Sequence, residues 1–231
     1  MKKTIAVIVG CATLTACVTT SPPTLADQYP AMYEEQPLSI VIMPPINNTN
    51  HAEAKDYFYT SLYHPLCEKG YYVFPPEMTM EMLQHESAYD AELFVDGDLG
   101  KFRDVLGADA ALFTIIKDWR RDNVGGKITV NIEYRLRSTK TGRTLYGREG
   151  AITLDTSVDS DDDSNSTSLA GLMVNTLLNA ISTASTDKIY AGRKCNEHVL
   201  SNLPAGRYSG SFRKDSVNVA GSKLVKATIK K

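Results

Sequence analysis

The sequence predicts a single α/β domain in which helices pack on a mixed β-sheet, with an added antiparallel hairpin. Two observations support this class. Short β-prone runs alternate with stretches of helical apolar spacing, which is the order typical of α/β proteins. Two longer runs then alternate apolar and polar residues and are joined by a turn, as in a hairpin that is covered on one face only.

The first half of the chain provides the β-α-β-α order. Residues 38–43 are a continuous β-prone run that two prolines end, which is typical of a buried strand. Residues 52–69 have helical apolar spacing, and Pro65 should kink this helix because it removes a hydrogen bond. A second strand over 71–74 precedes a helix over 77–85. The apolar face of that helix contains Met78, Met82 and Leu83.

The second half predicts one more strand and the hairpin. Asp98 is a candidate cap for a helix that ends at Leu106, and an apolar strand covers 110–116. The hairpin strands are expected over 127–137 and 143–154. After an acidic, Ser-rich loop over 155–168, helical spacing over 169–189 predicts a long helix on the sheet.

The amino terminus has the layout of a signal peptide. Lys2 and Lys3 precede a short apolar run, which ends in Leu14-Thr15-Ala16-Cys17. This ending resembles a bacterial lipobox, and the resemblance implies cleavage before Cys17 and acylation of its thiol. Two or three acyl chains make a durable anchor. The alternative is an ordinary signal peptide with a chance cysteine.

These features divide the chain into four segments. Residues 1–16 are the signal peptide, 17–37 a lipidated tether, 38–190 the α/β domain, and 191–231 a carboxy-terminal extension that is partly disordered after Phe212. Val18 follows the cysteine instead of the Asp that often retains lipoproteins in the inner membrane. We therefore expect the outer membrane, with the folded body in the periplasm.

Composition excludes some partners. A net charge of -2 provides no broad positive field for a phosphate backbone, so nucleic acid is not an expected partner. No second apolar stretch approaches the length of a membrane helix. The lipid on Cys17 is therefore the expected attachment to the membrane.

Two cysteines remain after the signal peptide and the lipidated Cys17 are set aside. In an oxidising periplasm, Cys67 and Cys195 are expected to form a disulfide. Two buried, unpaired thiols are the alternative.

Motifs for catalysis, metals and cofactors are not found. The sequence has no Gly-x-Ser-x-Gly pattern and its four histidines stand singly, so no catalytic residue is assigned and no enzyme is expected. The acidic run at 159–163 lacks the Gly and the distal Glu of an EF-hand, so no metal site is predicted. No glycine-rich loop links a strand to a helix, and no cofactor is expected.

Aromatic residues are the remaining candidates for function. Tyr57, Tyr59 and Tyr63 crowd the first long helix, and tyrosine is favoured both in cores and at protein interfaces. Ordinary packing and an interaction face are both open interpretations. An open edge of the hairpin sheet is a second candidate for binding a partner strand.

Several motifs resemble one family of Gram-negative lipoproteins with a domain of unknown function, related in fold to the amino-terminal domain of TolB and to the curli-export lipoprotein CsgG. The matching segments and the lipobox occur in the expected order within a span of about 130 residues. They are Ile42-Met43-Pro44-Pro45-Ile46-Asn47-Asn48, Pro65-Leu66-Cys67-Glu68-Lys69-Gly70-Tyr71-Tyr72-Val73-Phe74-Pro75, Gly107-Ala108-Asp109-Ala110, Lys117-Asp118-Trp119 and Lys140-Thr141-Gly142-Arg143. The resemblance implies an α/β domain in the cell envelope and no activity.

The expected function is therefore non-enzymatic. The chain should bind other envelope proteins, including other lipoproteins, as an assembly or transport-accessory module. Two alternatives stay open: a periplasmic ligand-binding protein or weak hydrolase, and an oligomeric subunit of a CsgG-like secretion complex.

Overall fold

A computed structural model describes residues 21–86, 89–122, 126–155, 157 and 188–230. The predicted signal peptide, Cys17, nearly all of the acidic loop and most of the predicted helix over 169–189 lie outside these residues. The described helices are α1 (Leu25–Gln28), α2 (Pro30–Glu35), α3 (Ala54–Ser61), α4 (Tyr63–Glu68), α5 (Pro76–His85), α6 (Gly100–Leu106) and α7 (Lys188–Val199). The strands are β1 (Ser39–Ile42), β2 (Ile46–Asn47), β3 (Tyr72–Val73), β4 (Ala110–Asp122), β5 (Lys127–Ser138), β6 (Thr144–Asp155) and β7 (Leu224–Lys230).

The seven strands form one mixed sheet, which confirms the predicted fold class. Its order is β3-β1-β4-β5-β6-β7, and β2 also pairs with β4. The pairs β4-β5 and β5-β6 are antiparallel. The other pairs are parallel: β1 with β3, β1 with β4, β2 with β4, and β6 with β7. The hairpin of β5 and β6 is therefore built into the middle of the sheet.

Alternate residues of the inner strands face two separate apolar cores. Ile40 and Ile42 of β1 point into the larger core, where α1, α2, α3, α4 and α7 pack. Val41 and Met43 point to the opposite side, where Leu83 of α5 and other residues near α6 form a smaller core. Both faces of the sheet are thus covered at β1 and β4, as the continuous apolar run of β1 predicted.

The strands β5 and β6 are covered on one face only. Along β5 every second side chain, from Ile128 to Leu136, is buried, and the residues between them are half-buried. A register shift between Ile116 and Asp118 makes a bulge in β4, and Lys117 at this bulge is exposed. Over the described residues, the second face of this half of the sheet is polar.

The helix predicted over 52–69 is broken at Leu62, three residues before the proline that was expected to disturb it. Pro65 has no N–H and its ring conflicts with the carbonyl four residues earlier, which belongs to Ser61. The break therefore separates α3 from α4. Leu62 is itself fully buried, so the two short helices still present one apolar face to the core.

The prediction of an extended tether over 17–37 is wrong for the second half of this segment. From Leu25 the chain forms α1 and α2, and Leu25, Tyr29 and Met32 are each about 95% buried. The Thr24 hydroxyl and the Asp27 carboxylate form a capping box at the start of α1. These helices are too short to show apolar periodicity, which is why the sequence pattern suggested a linker.

The carboxy-terminal extension is also more ordered than expected. It starts within α7, continues through Leu200 and Leu203, which are buried, and ends in β7, which pairs with seven residues of β6. Glycines interrupt the local pattern, but pairing with β6 supplies the hydrogen bonds that stabilise the last strand. The predicted disorder after Phe212 is therefore wrong for residues up to 230.

Candidate interaction surface

The first predicted interaction residue, Tyr59, belongs to the core. It is 5% exposed, and its hydroxyl donates a hydrogen bond of 2.7 Å to the carbonyl of Pro76. Burial raises the pKa of the Tyr59 phenol, and a nearby tyrosine adds to this effect. Tyr59 therefore holds α3 to the start of α5 and does not present its ring to solvent.

Tyr57 and Tyr63 lie nearer the surface but do not form one patch with Tyr59. The half-buried Tyr57 packs its ring 6.1 Å from that of Trp119 and donates to the Glu53 carboxylate at 2.6 Å. Tyr63 is 40% exposed, and a hydrogen bond with Cys67 raises the pKa of its phenol. The role of these tyrosines in binding stays a prediction, and Tyr63 is the candidate with the most accessible ring.

The expected disulfide is not formed in the structure. Cys67 and Cys195 are both free thiols. Cys195 is buried in the larger core, close to Tyr134, whereas Cys67 is half-buried on α4 beside Tyr63. Each thiol therefore packs against a different tyrosine, and burial raises the pKa of Cys195 to about 12.

The described residues do not assemble a metal site. Within them, no three His, Cys, Asp or Glu side chains are grouped so that they could hold a metal ion. The histidine nearest to an acid is His64, whose Nδ1 lies 3.4 Å from Glu68 Oε2 in a pair that is largely exposed. Such a surface pair on one helix is an ordinary i, i+4 contact.

The polar face of β5 and β6 carries charges that neutralise one another. Lys117 places its Nζ 2.7 Å from Glu133 Oε2 and 3.0 Å from Glu149 Oε1. Arg135 contacts Glu133 and lies 3.2 Å from the carboxylate of Asp96. Because each of these basic groups lies beside carboxylates, much of the charge on this face is compensated within the protein.

A groove between α5 and α6 has the opposite character, because it exposes large apolar side chains. Met78 and Met82 lie one turn apart on α5 and are 64% and 40% exposed, while Val105 of α6 is 70% exposed. Leu93, in the 3₁₀ turn before α6, is 68% exposed.

The floor of the α5–α6 groove is aromatic and already packed. Phe94 and Phe102 meet edge to face with ring centroids 5.2 Å apart, and Leu83 and Phe102 are buried in the smaller core. Lys101 and Glu86 line the margins. The open volume is about 140 Å³, which is well below the roughly 300–1,000 Å³ of small-molecule pockets.

The groove could be found in the sequence only in part. The sequence predicted an apolar helical face that contains Met78, Met82 and Leu83, but only Leu83 is buried. The two methionines of this face are left in contact with solvent. Methionines suit such surfaces because their flexible side chains adapt to a partner.

Comparison with known proteins decides the family. The family model described as "Putative lipoprotein GNA1162-like" matches residues 27–207, which is more than half of the chain. The chain belongs to the GNA1162-like lipoprotein family. A curated member, "Putative lipoprotein NMB1124/NMB1162" of Neisseria meningitidis serogroup B, is 26% identical over 192 residues, covering 82% of this chain and 86% of that protein.

Solved structures include the GNA1162 lipoprotein of Neisseria meningitidis, with 25% identity, coverage of 63% of this chain and 99% of that chain, and a TM-score of 0.47. A PelC dodecamer from Paraburkholderia phytofirmans has 14% identity, coverage of 79% and 92%, and a TM-score of 0.38. These similarities are too low to carry a functional argument. They also do not confirm the expected relation to TolB and CsgG.

Membership of the GNA1162-like family places the protein in the cell envelope, as the lipobox led us to expect. The names of these relatives state no enzymatic activity. Over the described residues, no helix is both long and apolar enough to cross a bilayer.

Proposed function

We propose that this GNA1162-like protein is a non-enzymatic lipoprotein that binds another envelope protein through the α5–α6 groove. In this proposal residues 1–16 are a signal peptide, Cys17 bears the lipid, and the folded body faces the periplasm from the outer membrane. The observation that supports the binding role is the exposure of Met82 and Val105 around an aromatic floor.

Contact of such apolar side chains with water is unfavourable unless a binding partner covers them. Isolated apolar residues are common on protein surfaces, but a group of large ones beside a groove is typical of interaction sites. Met82 and Val105 line the same groove from two helices, so they can be covered together by one partner. Covering them removes apolar surface from water, which is the main driving force of association.

The size and the margins of the groove favour a protein as the occupant. A volume of about 140 Å³ accepts one or two side chains and not a complete small ligand. Lys101 and Glu86 offer a charge of each sign beside the apolar floor, which is the arrangement of an apolar interface centre with a polar rim. We therefore expect a partner that inserts a large apolar side chain flanked by polar residues.

Site-specific photo-crosslinking in cells tests this binding site. A photoreactive amino acid at Val105 should crosslink to an envelope protein, and the same residue at the exposed Lys140 is the matched control. Met82→Asp should reduce the Val105 adduct at least ten-fold because a charge at a buried interface centre is unfavourable. If Tyr63→Ala removes the adduct and Met82→Asp does not, the binding surface lies at α4 instead.

The anchor is tested separately by mass spectrometry of the mature amino terminus. The expected result is a chain that begins with acylated Cys17. An unmodified terminus at any other residue overturns the anchor, but it leaves the groove experiment intact. Fractionation of the acylated protein with outer-membrane rather than inner-membrane vesicles tests the choice of membrane.

A further inference from the structure

The segment that follows α7 is strongly basic, which the chain as a whole is not. Residues 205–224, here called the carboxy-terminal cap, contain four basic residues, Arg207, Arg213, Lys214 and Lys223, and one acidic residue, Asp215. All four basic side chains are exposed, while Asp215 is buried. The surface of the cap is therefore positive, although the whole chain has a net charge of -2.

The buried Asp215 organises this cap and does not neutralise its surface. Its Oδ2 accepts a hydrogen bond of 2.7 Å from the backbone N–H of Ala205, and its Oδ1 accepts one of 3.2 Å from the Tyr33 hydroxyl. Within the described part of the chain, Arg207, Arg213 and Lys223 make no ion pair. Among the described residues, their charges therefore face solvent without an ionic partner.

The cap also exposes apolar side chains among these charges. Val217 is 75% exposed, Val219 is 60% exposed and the Tyr208 ring is 69% exposed. A mixture of basic, aromatic and aliphatic side chains is typical of surfaces that bind at the headgroup level of a bilayer, where rings and methyl groups enter the interface.

The cap is fixed to Pro23 and Thr24, which lie close to Cys17 in the sequence. Thr24 and Val219 form a β-bridge, and the N–H of Ala220 donates a hydrogen bond of 2.9 Å to the carbonyl of Pro23. Pro23 is only six residues after Cys17. A fully extended chain of six residues spans at most about 21 Å.

This short reach limits how the body can be oriented. A domain of about 200 residues is roughly 40 Å across, so a tether of about half that length keeps the Pro23 side of the body next to the bilayer. The cap lies on this side because it is hydrogen-bonded to Pro23.

We propose that the carboxy-terminal cap is a membrane-binding surface that docks on anionic phospholipid headgroups beside the Cys17 anchor. Anionic lipid attracts juxtamembrane Lys and Arg, and this attraction weakens with salt. The inference rests on the proposed acylation of Cys17 for its geometry. Docking of the cap fixes the orientation of the folded body. The α5–α6 groove lies on the other side of the sheet from α1, so it stays available to a partner.

Vesicle sedimentation with the mature chain tests this surface without the lipid. The chain starts at residue 17 and has Cys17→Ser, so that only the protein surface can bind. The probes are vesicles of phosphatidylcholine with phosphatidylglycerol and vesicles of phosphatidylcholine alone. We expect binding to the anionic vesicles that falls as salt is raised, and little binding to the neutral vesicles.

Charge-reversal variants test which basic residues of the cap bind the anionic vesicles. Arg213→Glu with Lys214→Glu should weaken binding to anionic vesicles about ten-fold or more, and Arg207→Glu with Lys223→Glu is a second pair in case the first variant does not fold. Lys127→Glu with Lys140→Glu makes the same change in net charge outside both the cap and the α5–α6 groove, and this variant should bind vesicles as the parent chain does.

Two results overturn the membrane-binding cap. One is equal binding of the parent chain to both kinds of vesicle. The other is an equal loss in the control pair, since net charge alone would then account for the attraction. Neither result affects the crosslink from Val105, and loss of that crosslink leaves vesicle binding unchanged, so the cap and the groove fail independently.

Discussion

Asn196 of α7 donates a hydrogen bond of 2.8 Å from its Nδ2 to the Ser61 hydroxyl of α3, in the fully buried space between the two helices. Its Oδ1 accepts from the Tyr134 hydroxyl of β5. One amide therefore joins two helices to the middle of the sheet. The hydrogen bonds between α3, α7 and β5 at this point therefore all depend on the Asn196 side chain.

Replacing this amide should destabilise the fold. Asn196→Leu keeps a similar volume but leaves the buried Tyr134 hydroxyl without its acceptor, and we expect the free energy of unfolding to fall by about 1–3 kcal/mol. Denaturant unfolding measures the change. Adding Tyr134→Phe should recover part of the loss because both polar partners are then absent. Strictly additive losses in the double variant would show that the two groups are not coupled.

The ion pair of Lys117 with Glu133 should make stability depend on acid pH. Burial alone would raise the pKa of Glu133, but hydrogen bonds from Lys117 and Arg135 outweigh this effect and hold it below its usual value. The pair thus contributes stability above the unfolded pKa of about 4.3, and the contribution disappears as pH falls through the folded pKa.

Glu133→Gln measures that contribution. We expect it to lower the free energy of unfolding by about 0.5–1 kcal/mol at neutral pH and low salt, with a smaller difference in acid, since exposed pairs are screened. Glu81→Gln, on the exposed side of α5, is the control. A difference between Glu133→Gln and the parent chain that is the same at acid and neutral pH contradicts the assigned ion pair.

The two thiols should differ in reactivity. Cys195 is 2% exposed and its pKa is raised to about 12 by burial, so it should resist alkylation in the native protein at a pH where half-buried Cys67 reacts. Peptide mapping after alkylation of the native protein shows which of the two cysteines has reacted. Two unlabelled cysteines that become reactive only after reduction would instead establish the disulfide between Cys67 and Cys195.

The raised pKa of Cys195 has a second, alkaline consequence. The thiol of the unfolded chain ionises near pH 8.5, whereas the folded one stays neutral until about pH 12. The folded state therefore loses relative stability as pH rises through this interval. Cys195→Ala should make the alkaline loss of stability smaller, and an unchanged pH profile would show that this thiol does not contribute.

Two glycines with positive φ allow backbone strain and steric contact to be separated. Gly70 has φ +87°, and a Cβ there would lie 2.4 Å from the backbone nitrogen of Ser209. Gly107 has φ +68° with nothing within 4 Å of its Cβ position. Gly107→Ala should lower the free energy of unfolding by about 1–2 kcal/mol. Gly70→Ala should lower it by clearly more, because the chain around Ser209 must also move. Equal unfolding midpoints for the two variants would contradict the close contact.

Local pattern predicted the elements whose residues alternate strongly. The apolar run at β1, the alternation of Ile128, Val130 and Ile132, and the break caused by Pro65 are all visible in consecutive residues. The turn between β5 and β6 was predicted from the same stretch of chain.

Elements that depend on distant partners could not be predicted in this way. The helices α1 and α2 have four and six residues, and Tyr29 gains its burial by packing 4.7 Å from the ring of Tyr146. The strand β7 needs β6 for its hydrogen bonds. The α5–α6 groove was missed for a related reason, since the packing of α5 against distant residues decides which of its apolar side chains are buried.

The bridge between Thr24 and Val219 also determines when the chain can finish folding. These residues are separated by 195 positions (219 minus 24), and α1 gains a place to pack only once the later segment has been made. Until the cap is available, Leu25 lacks its contact with Asn218, so the exported chain should need a holding chaperone in the periplasm until its last segment has been translocated.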